Sequence, residues 1–464
     1  MNTSELLQQG LPTIAEAVRS GKSSAAALLD QQFELIDARE PNLQVYITQT
    51  RERAAAQAAS LDRRRNDGES LGTLAGVPLA VKDIFEMSGT PTTAAMTIHR
   101  ERIASEDATV IRRLESAGAT ILGKLTLTEG VYAEHRPAFP VPVNPWSAAH
   151  WPGASSSGTG VAVAAGLCCA GLGSETGGSI KLPAAANGVT ALKPTWGRVS
   201  RHGVFELAAS LDHVGPFARS AADAALLLQV IAGADEHDPT ASQVPVDDYS
   251  AGLAQGARGI RIGVDHAWLS EDVDLQTRKA LDAALDVLIG AGADVVDVTV
   301  PDVSDMIWDW FPVCAAQTAL AHRETFPSQR EAYGEALAQL LDQGNELSAV
   351  AYQEVLLRRE SFRGRMNTLL ESVDMLALPV LSFPVPTLER MANIDDELIA
   401  GLHRFTCPFN LSGHPGLVLP CGSNDEGLPI VFQLVGRHFD EARLLAAGGA
   451  YQDETDWHRR QPNS

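Results

Sequence analysis

The sequence predicts an α/β fold: one large domain with a central mixed β-sheet covered by helices on both faces. Three observations predict it. Short apolar runs at 76–85 ("GVPLAVKDIF") and 119–125 ("ATILGKL") flank a stretch with helical spacing at 107–118, an order that makes parallel crossover units. The same alternation returns at 260–300, and apolar runs at 374–386 and 416–422 supply further strands. With 464 residues, 45% of them apolar and 20% charged, the composition is globular and the chain is long enough to enclose a pocket.

Taken in order, residues 13–38 read as two amphipathic helices broken at Ser20-Gly21, with Leu28, Leu29, Phe33 and Ile36 on one face and Glu40-Pro41-Asn42 as the stop. A helix rich in Ala and Arg follows over 51–66. After the first crossover unit, a small-residue apolar run near 160–173 reads as a packed helix carrying Cys168 and Cys169. Residues 190–200 and 210–220 read as loops and short strands leading to a helix at 220–233. The polar, turn-rich segment 233–252 is a surface connection and not a domain break. Then come a strand at "IRIGVD", a helix over 275–291, a strand at "ADVVDVTV" and a long helical stretch from about 312 to 372. No internal repeat is evident.

The formal net charge of −22 disfavours nucleic-acid phosphate and anionic lipid as partners. Five cysteines, an odd number without CxxC spacing, suit a reduced, cytoplasmic protein with buried thiols. The first residues lack a basic segment followed by an apolar one, so no signal peptide is expected, and no run is long enough to span a bilayer.

Two Gly/Ser turns bracket the apolar run near 160–173. "GASSSG" at 153–158 holds Ser155, Ser156 and Ser157, and "TGGS" at 176–179 ends on Ser179. Neither a phosphate-binding loop, nor the GxSxG elbow, nor a zinc-hydrolase spacing is present. What remains is a nucleophile turn of another type, in which glycines before Ser179 let backbone N–H groups converge on a developing oxyanion, as acyl transfer requires. Such a serine needs a base. His202, His213 and Lys82 are the candidates. A lysine in an apolar strand loses hydration, so its amine becomes a usable base; equally, Lys82 ends a strand and is placed to pair with Asp83.

These residues resemble the amidase signature family. The resemblance rests on "GVPLAVKD", on Gly153–Gly158, and on Gly173-Ser174-Glu175-Thr176-Gly177-Gly178-Ser179-Ile180-Lys181-Leu182-Pro183, with Ser155 and Ser179 separated by 24 positions. Further blocks lie at 191–204, 210–220 and 405–436, so the resemblance covers roughly residues 10 to 450. It implies the family's fold: an N-terminal helical segment of about 1–66, a signature core of about 70–235, and a variable, substrate-shaping region of about 255–400, all within one domain of residues 1–464.

It also implies a Ser–cis-Ser–Lys triad: Ser179 as nucleophile, Ser155 as the bridging serine after a cis peptide bond, and Lys82 as base. Thr176, Gly177, Gly178 and Ser179 would hold the oxyanion, with no metal and no cofactor. Asp83, Ser156 and Ser157 are expected to shape the loops and not to react. Tyr132 is a candidate substrate contact, the aromatic stretch "MIWDWFP" at 306–312 a candidate recess, and His202 and His213 ordinary loop residues. Lys181 departs from the family's Arg, giving the charge without the fork. The implied activity is hydrolysis of a small carboxamide, carbamate or urea-type substrate through an acyl-enzyme. The alternatives are the glutaminase component of a tRNA-dependent amidotransferase and a non-catalytic member. Against the former, 330–372 lacks that component's Gly-, Lys- and Arg-rich block; against the latter, Lys82, Ser155 and Ser179 are intact. A homodimer is the common arrangement in similar enzymes.

Overall fold

The apolar runs assemble into one eleven-stranded mixed sheet, flanked by helices, in a computed structural model that describes residues 2–270 and 273–462. In chain order the strands are β1 (Tyr46–Gln49), β2 (Pro78–Lys82), β3 (Thr120–Leu125), β4 (Ala170–Glu175), β5 (Thr190–Lys193), β6 (His213–Ala218), β7 (Arg261–Val264), β8 (Asp294–Asp297), β9 (Met375–Pro379), β10 (Gly416–Ser423) and β11 (Pro429–Gly436). Their spatial order is β1-β3-β2-β4-β6-β5-β10-β11-β9-β7-β8. Parallel pairs β3–β2–β4 and β8–β7–β9 lie toward the two ends, and antiparallel pairs join them through the middle. Strands β2, β3 and β4 are buried along their whole length, which is why they read as continuous apolar runs and not as alternation. The edges β1 and β8 have four residues each, and β8 begins and ends on exposed aspartates, which discourages further pairing.

The first crossover unit forms as predicted, the helix Thr109–Ser116 carrying β2 into β3; a second, not expected, forms where the helix Ser157–Ala164 carries β3 into β4. The two N-terminal helices are Leu11–Arg19 and Ala25–Leu43. The second runs one turn past the expected stop, because Pro41 falls in the last turn and its missing N–H costs only one bond there.

The structure corrects three expectations. The run between the serine turns is not one helix. It ends at Ala164, turns at Gly166 (φ +70°), and continues as β4, so Cys168 and Cys169 sit in the buried connection and not on a helix. Close packing explains the small residues of β4: a Cβ on Gly171 would lie 2.9 Å from the Ala80 carbonyl oxygen, and one on Gly173 2.6 Å from Phe217. The stretch 312–372 is three helices, Ser304–Ala321, Glu335–Glu346 and Ala349–Ser372. Pro327 and Gly334 lie in the first break, and Ser348 caps the third helix by accepting from the Ala351 N–H. The first of these helices also takes in the aromatic stretch at 306–312. His213, read as a loop residue, lies on β6 opposite Glu175 and is buried.

All five cysteines are buried and unpaired. Among the described residues no helix is long and apolar enough to cross a membrane.

Candidate active site

Lys82 ends β2, and its parallel neighbour β4 runs beside it with Val81 in register with Leu172. The pairing sets the Lys82 side chain near Ser174, two residues further along β4. The ammonium nitrogen lies 2.7 Å from Ser155 Oγ, 3.0 Å from Ser156 Oγ and 3.0 Å from Ser174 Oγ, fully buried. It does not pair with Asp83. Successive strand residues point to opposite faces, and Asp83 instead meets Lys124 Nζ on β3 at 2.9 Å and accepts from the Thr93 N–H at 3.0 Å. Asp83 thus anchors a loop, as expected. Burial holds the Lys82 amine well below the usual lysine range, against the opposing pull of the Asp212 and Glu175 carboxylates.

The hydroxyl hydrogens decide what Lys82 can do. Ser156 Oγ donates to the Ser174 carbonyl at 3.0 Å, so toward Lys82 it can only accept. A neutral amine has two N–H donors and one lone pair. With N–H groups given to Ser156 and Ser174, the lone pair faces the shortest partner, Ser155, whose O–H can donate to it.

The peptide bond Ala154–Ser155 is cis. Gly153 (φ +86°) precedes it, where a Cβ would fall 2.4 Å from Pro183 Cα. The two serine turns are tied directly: the Ser156 N–H donates to the Ser179 carbonyl at 3.3 Å. Ser157 Oγ lies 2.8 Å from His135 Nε2, and burial lowers the His135 pKa to about 4, so this imidazole is neutral near pH 7.

Beyond β4 the chain turns through Thr176, Gly177, Gly178 and Ser179. Among the described residues the N–H groups of Gly177, Gly178 and Ser179 have no hydrogen-bond acceptor, while the carbonyls of Thr176, Gly177 and Gly178 all accept hydrogen bonds. Thr176 Oγ1 donates to Asp212 at 2.6 Å, and the other oxygen of Asp212 accepts from the N–H groups of Leu207 and Ala208. Burial raises Asp212 to about 6, and the bond from Thr176 limits the rise.

Just past the turn, the Glu175 carboxylate accepts from the N–H groups of Ile180 and Lys181 at 2.9 Å each. Its second oxygen lies 3.0 Å from Lys181 Nζ, both side chains being fully buried. Lys181 therefore balances the charge of the carboxylate that staples Ser179's flank; its Nζ also lies 3.5 Å from the Thr406 carbonyl and 5.7 Å from the centre of the Phe409 ring.

A cavity of about 260 Å³ opens onto this turn. Tyr132, Leu182, Trp310, Phe311, Leu340 and His403 form much of its wall, and Thr176, Gly177, Gly178 and Ser179 line it. The expected substrate contact Tyr132 and the expected recess at 306–312 therefore meet in one place. Among the described residues Glu134 is the sole charged member of that lining; no lysine or arginine contributes. His403 gives its Nδ1 to the Ile399 carbonyl at 2.8 Å, and burial keeps the ring neutral. His202 and His213 are outside the cavity: His202 Nε2 is 3.7 Å from Glu106, and His213 Nδ1 is 2.6 Å from the Leu211 carbonyl.

Sequence reasoning missed Ser174, His135, His403 and Thr406. Ser174 had a signal, standing one strand position inside the TGGS turn on the strand beside Lys82. His403 and Thr406 had none, since they arrive from more than 200 residues away.

A family model described as Amidase matches residues 27–445. A Mycobacterium tuberculosis protein that carries the name amidase AmiD is 44% identical over 454 residues, covering 97% of this chain and 95% of its own. The A component of the glutamyl-tRNA(Gln) amidotransferase of Halorhodospira halophila is 38% identical over 482 residues, covering 98% and 99%. Among solved structures, a bacterial aryl acylamidase of the amidase signature enzymes superposes with a TM-score of 0.88 at 26% identity, covering 98% of this chain and 97% of that one.

Proposed function

Because the chain belongs to the amidase signature family and is an amide C–N hydrolase, we propose that Ser179, Ser155 and Lys82 carry its chemistry and that its substrates are neutral amides with an apolar or aryl group. The observation that carries the triad is the buried Lys82 Nζ 2.7 Å from Ser155 Oγ, beside a turn whose N–H groups have no acceptor among the described residues.

The steps follow from that arrangement. Ser179 Oγ attacks the amide carbon while its proton passes to Ser155, and the Ser155 proton passes to Lys82. The carbonyl oxygen becomes an oxyanion facing the N–H groups of Gly177, Gly178 and Ser179. As the C–N bond breaks, the leaving nitrogen takes a proton from Ser155, which is refilled from Lys82. Ammonia or an amine departs and an ester on Ser179 remains. Water, deprotonated by the same relay, attacks that ester, releases the carboxylic acid and restores Ser179. Burial serves this cycle because a hydrated lysine would stay protonated near neutral pH and could not begin it.

The cavity supports the substrate class. Its wall of Trp310, Phe311, Leu340 and Leu182 suits an aromatic or aliphatic group, and similarity to an aryl acylamidase agrees with that. Similarity to the amidotransferase component keeps glutamine as a second reading. Glutamine carries an α-carboxylate, and a cavity without a lining cation would bury it unpaired.

The test combines labelling and turnover. A fluorophosphonate should label the purified chain at Ser179, and Lys82→Ala should lower amide hydrolysis by about 10²–10⁴-fold with the fold intact. Benzamide-type substrates should be hydrolysed well ahead of glutamine. Labelling at another serine would overturn the nucleophile assignment, and a preference for glutamine would overturn the substrate class.

A further inference from the structure

Three carbonyls decide where the N–H groups of the Ser179 turn point. A peptide unit is planar and trans, so its N–H points opposite to its C=O, and fixing the oxygen fixes the hydrogen. The Gly178 carbonyl accepts from the Leu182 N–H at 2.7 Å, within the turn's own helix start. The Gly177 carbonyl accepts from Thr406 Oγ1 at 2.7 Å and from Cys407 Sγ at 3.3 Å. The Thr176 carbonyl accepts from Trp310 Nε1 at 2.9 Å. The first bond is local, whereas the other two come from distant chain segments, 134 residues downstream in the case of Trp310.

Trp310 is held for this contact. It is 4% exposed, its ring stacks on His403 at 5.8 Å between centroids with 23° between planes, and Phe311 meets its edge at 5.0 Å. Its ring also lies close against the turn: a Cβ on Gly177 would sit 2.7 Å from ring carbons Cε2 and Cζ2. Gly177 is thus a glycine because the indole occupies the space a side chain would need. The same ring forms part of the cavity wall.

We propose that Trp310 is a positioning residue for amide hydrolysis: its indole N–H keeps the Thr176 carbonyl turned away from the cavity, so that the Gly177 N–H stays aimed at the oxyanion, and Thr406 does the same for the next peptide unit. Without that bond the Thr176–Gly177 unit is free to rotate and present oxygen to a developing negative charge. The interaction acts on the transition state and not on the bound amide, so its loss belongs in kcat. Because Trp310 is also wall, a substrate that fills the cavity bears on the residue that sets the oxyanion site. The variable half of the chain therefore reaches into the chemistry as well as into specificity.

The inference rests on Ser179 as nucleophile, and the experiment separates the two. Trp310→Phe keeps an aromatic wall and deletes the donor; replacement of Trp310 by 3-benzothienylalanine keeps the indole shape with sulfur for N–H. For benzamide, both should lower kcat by about 10- to 100-fold with KM changed less than about threefold, and should slow fluorophosphonate labelling of Ser179 by a similar factor. Thr406→Val should lower kcat in the same way, and Thr406→Ser should recover most of that loss. A raised KM with unchanged kcat and labelling would make Trp310 a wall only and overturn the proposal, as would unchanged values throughout. If Trp310→Phe loses its cooperative melt, the benzothienylalanine protein, equal in shape, decides. Absence of labelling at Ser179 in the unaltered protein would instead defeat the nucleophile reading itself.

Discussion

At the scale of single residues the site turns on hydrogen inventories. In the proposed role Lys82 acts as a base only when unprotonated, so activity should vanish as pH falls through its depressed pKa and hold above it. Ser174 bears on that limb: its Oγ, 3.0 Å from Lys82 Nζ, accepts a bond that favours the ammonium. Ser174→Ala should therefore shift the acid limb of kcat/KM to lower pH while reducing kcat about tenfold, through looser orientation of the amine. A pH–rate profile checks both, and a shift to higher pH would contradict the stated geometry. Most of the candidate site could be read in the chain because its residues are concentrated in short motifs: Lys82, Ser155 and Ser179 stand out by residue type and spacing, and the fold brings Lys82 Nζ within 2.7 Å of Ser155 Oγ. His213 did not, since nothing near it in the chain reveals that β6 places it opposite Glu175.

At the scale of elements, legibility followed the length and purity of the pattern. The helices Leu11–Arg19, Ala25–Leu43 and Leu275–Gly290 were readable from periodicity, and the strand β2 from its continuous apolar run. The stretch 312–372 was not, because a proline, a glycine and a serine cap cut one apparent run into three. β4 was hidden because close packing against Ala80 and Phe217 demands glycines, which depress any strand signal. The helix Lys181–Asn187 after Ser179 offers a stability test. Its first residue pairs with Glu175 in complete burial, so Lys181→Met leaves a buried carboxylate unpaired and should cost about 3–5 kcal/mol. Lys181→Arg keeps the charge and should cost less than Lys181→Met. Urea unfolding measures both; a neutral Lys181→Met would mean that the two backbone N–H bonds suffice for Glu175.

At the scale of the whole molecule, sheet order and charge combine at the site. The strand order sets β2 beside β4, so two segments far apart in the chain deliver Lys82 and Ser174 to one point, while segments between β8 and β10 form much of the cavity wall. That enclosure is apolar, and the chain around it carries a net charge of −22. A molecule so charged surrounds itself with a negative potential of long range at low salt, with a screening length of about 30 Å at 0.01 M and about 8 Å at 0.15 M. Neutral amides do not feel it. Anionic ones are repelled before they reach the lining, where Glu134 is the sole charge among the described residues and no cation awaits them. Raising the ionic strength across that range should therefore increase kcat/KM for a carboxylate-bearing amide such as succinamate several-fold and leave benzamide unchanged. Equal salt responses for the two would mean that the acidic residues lie away from the cavity mouth, and that selection against anions is made inside the cavity by the missing cation and not by the field outside.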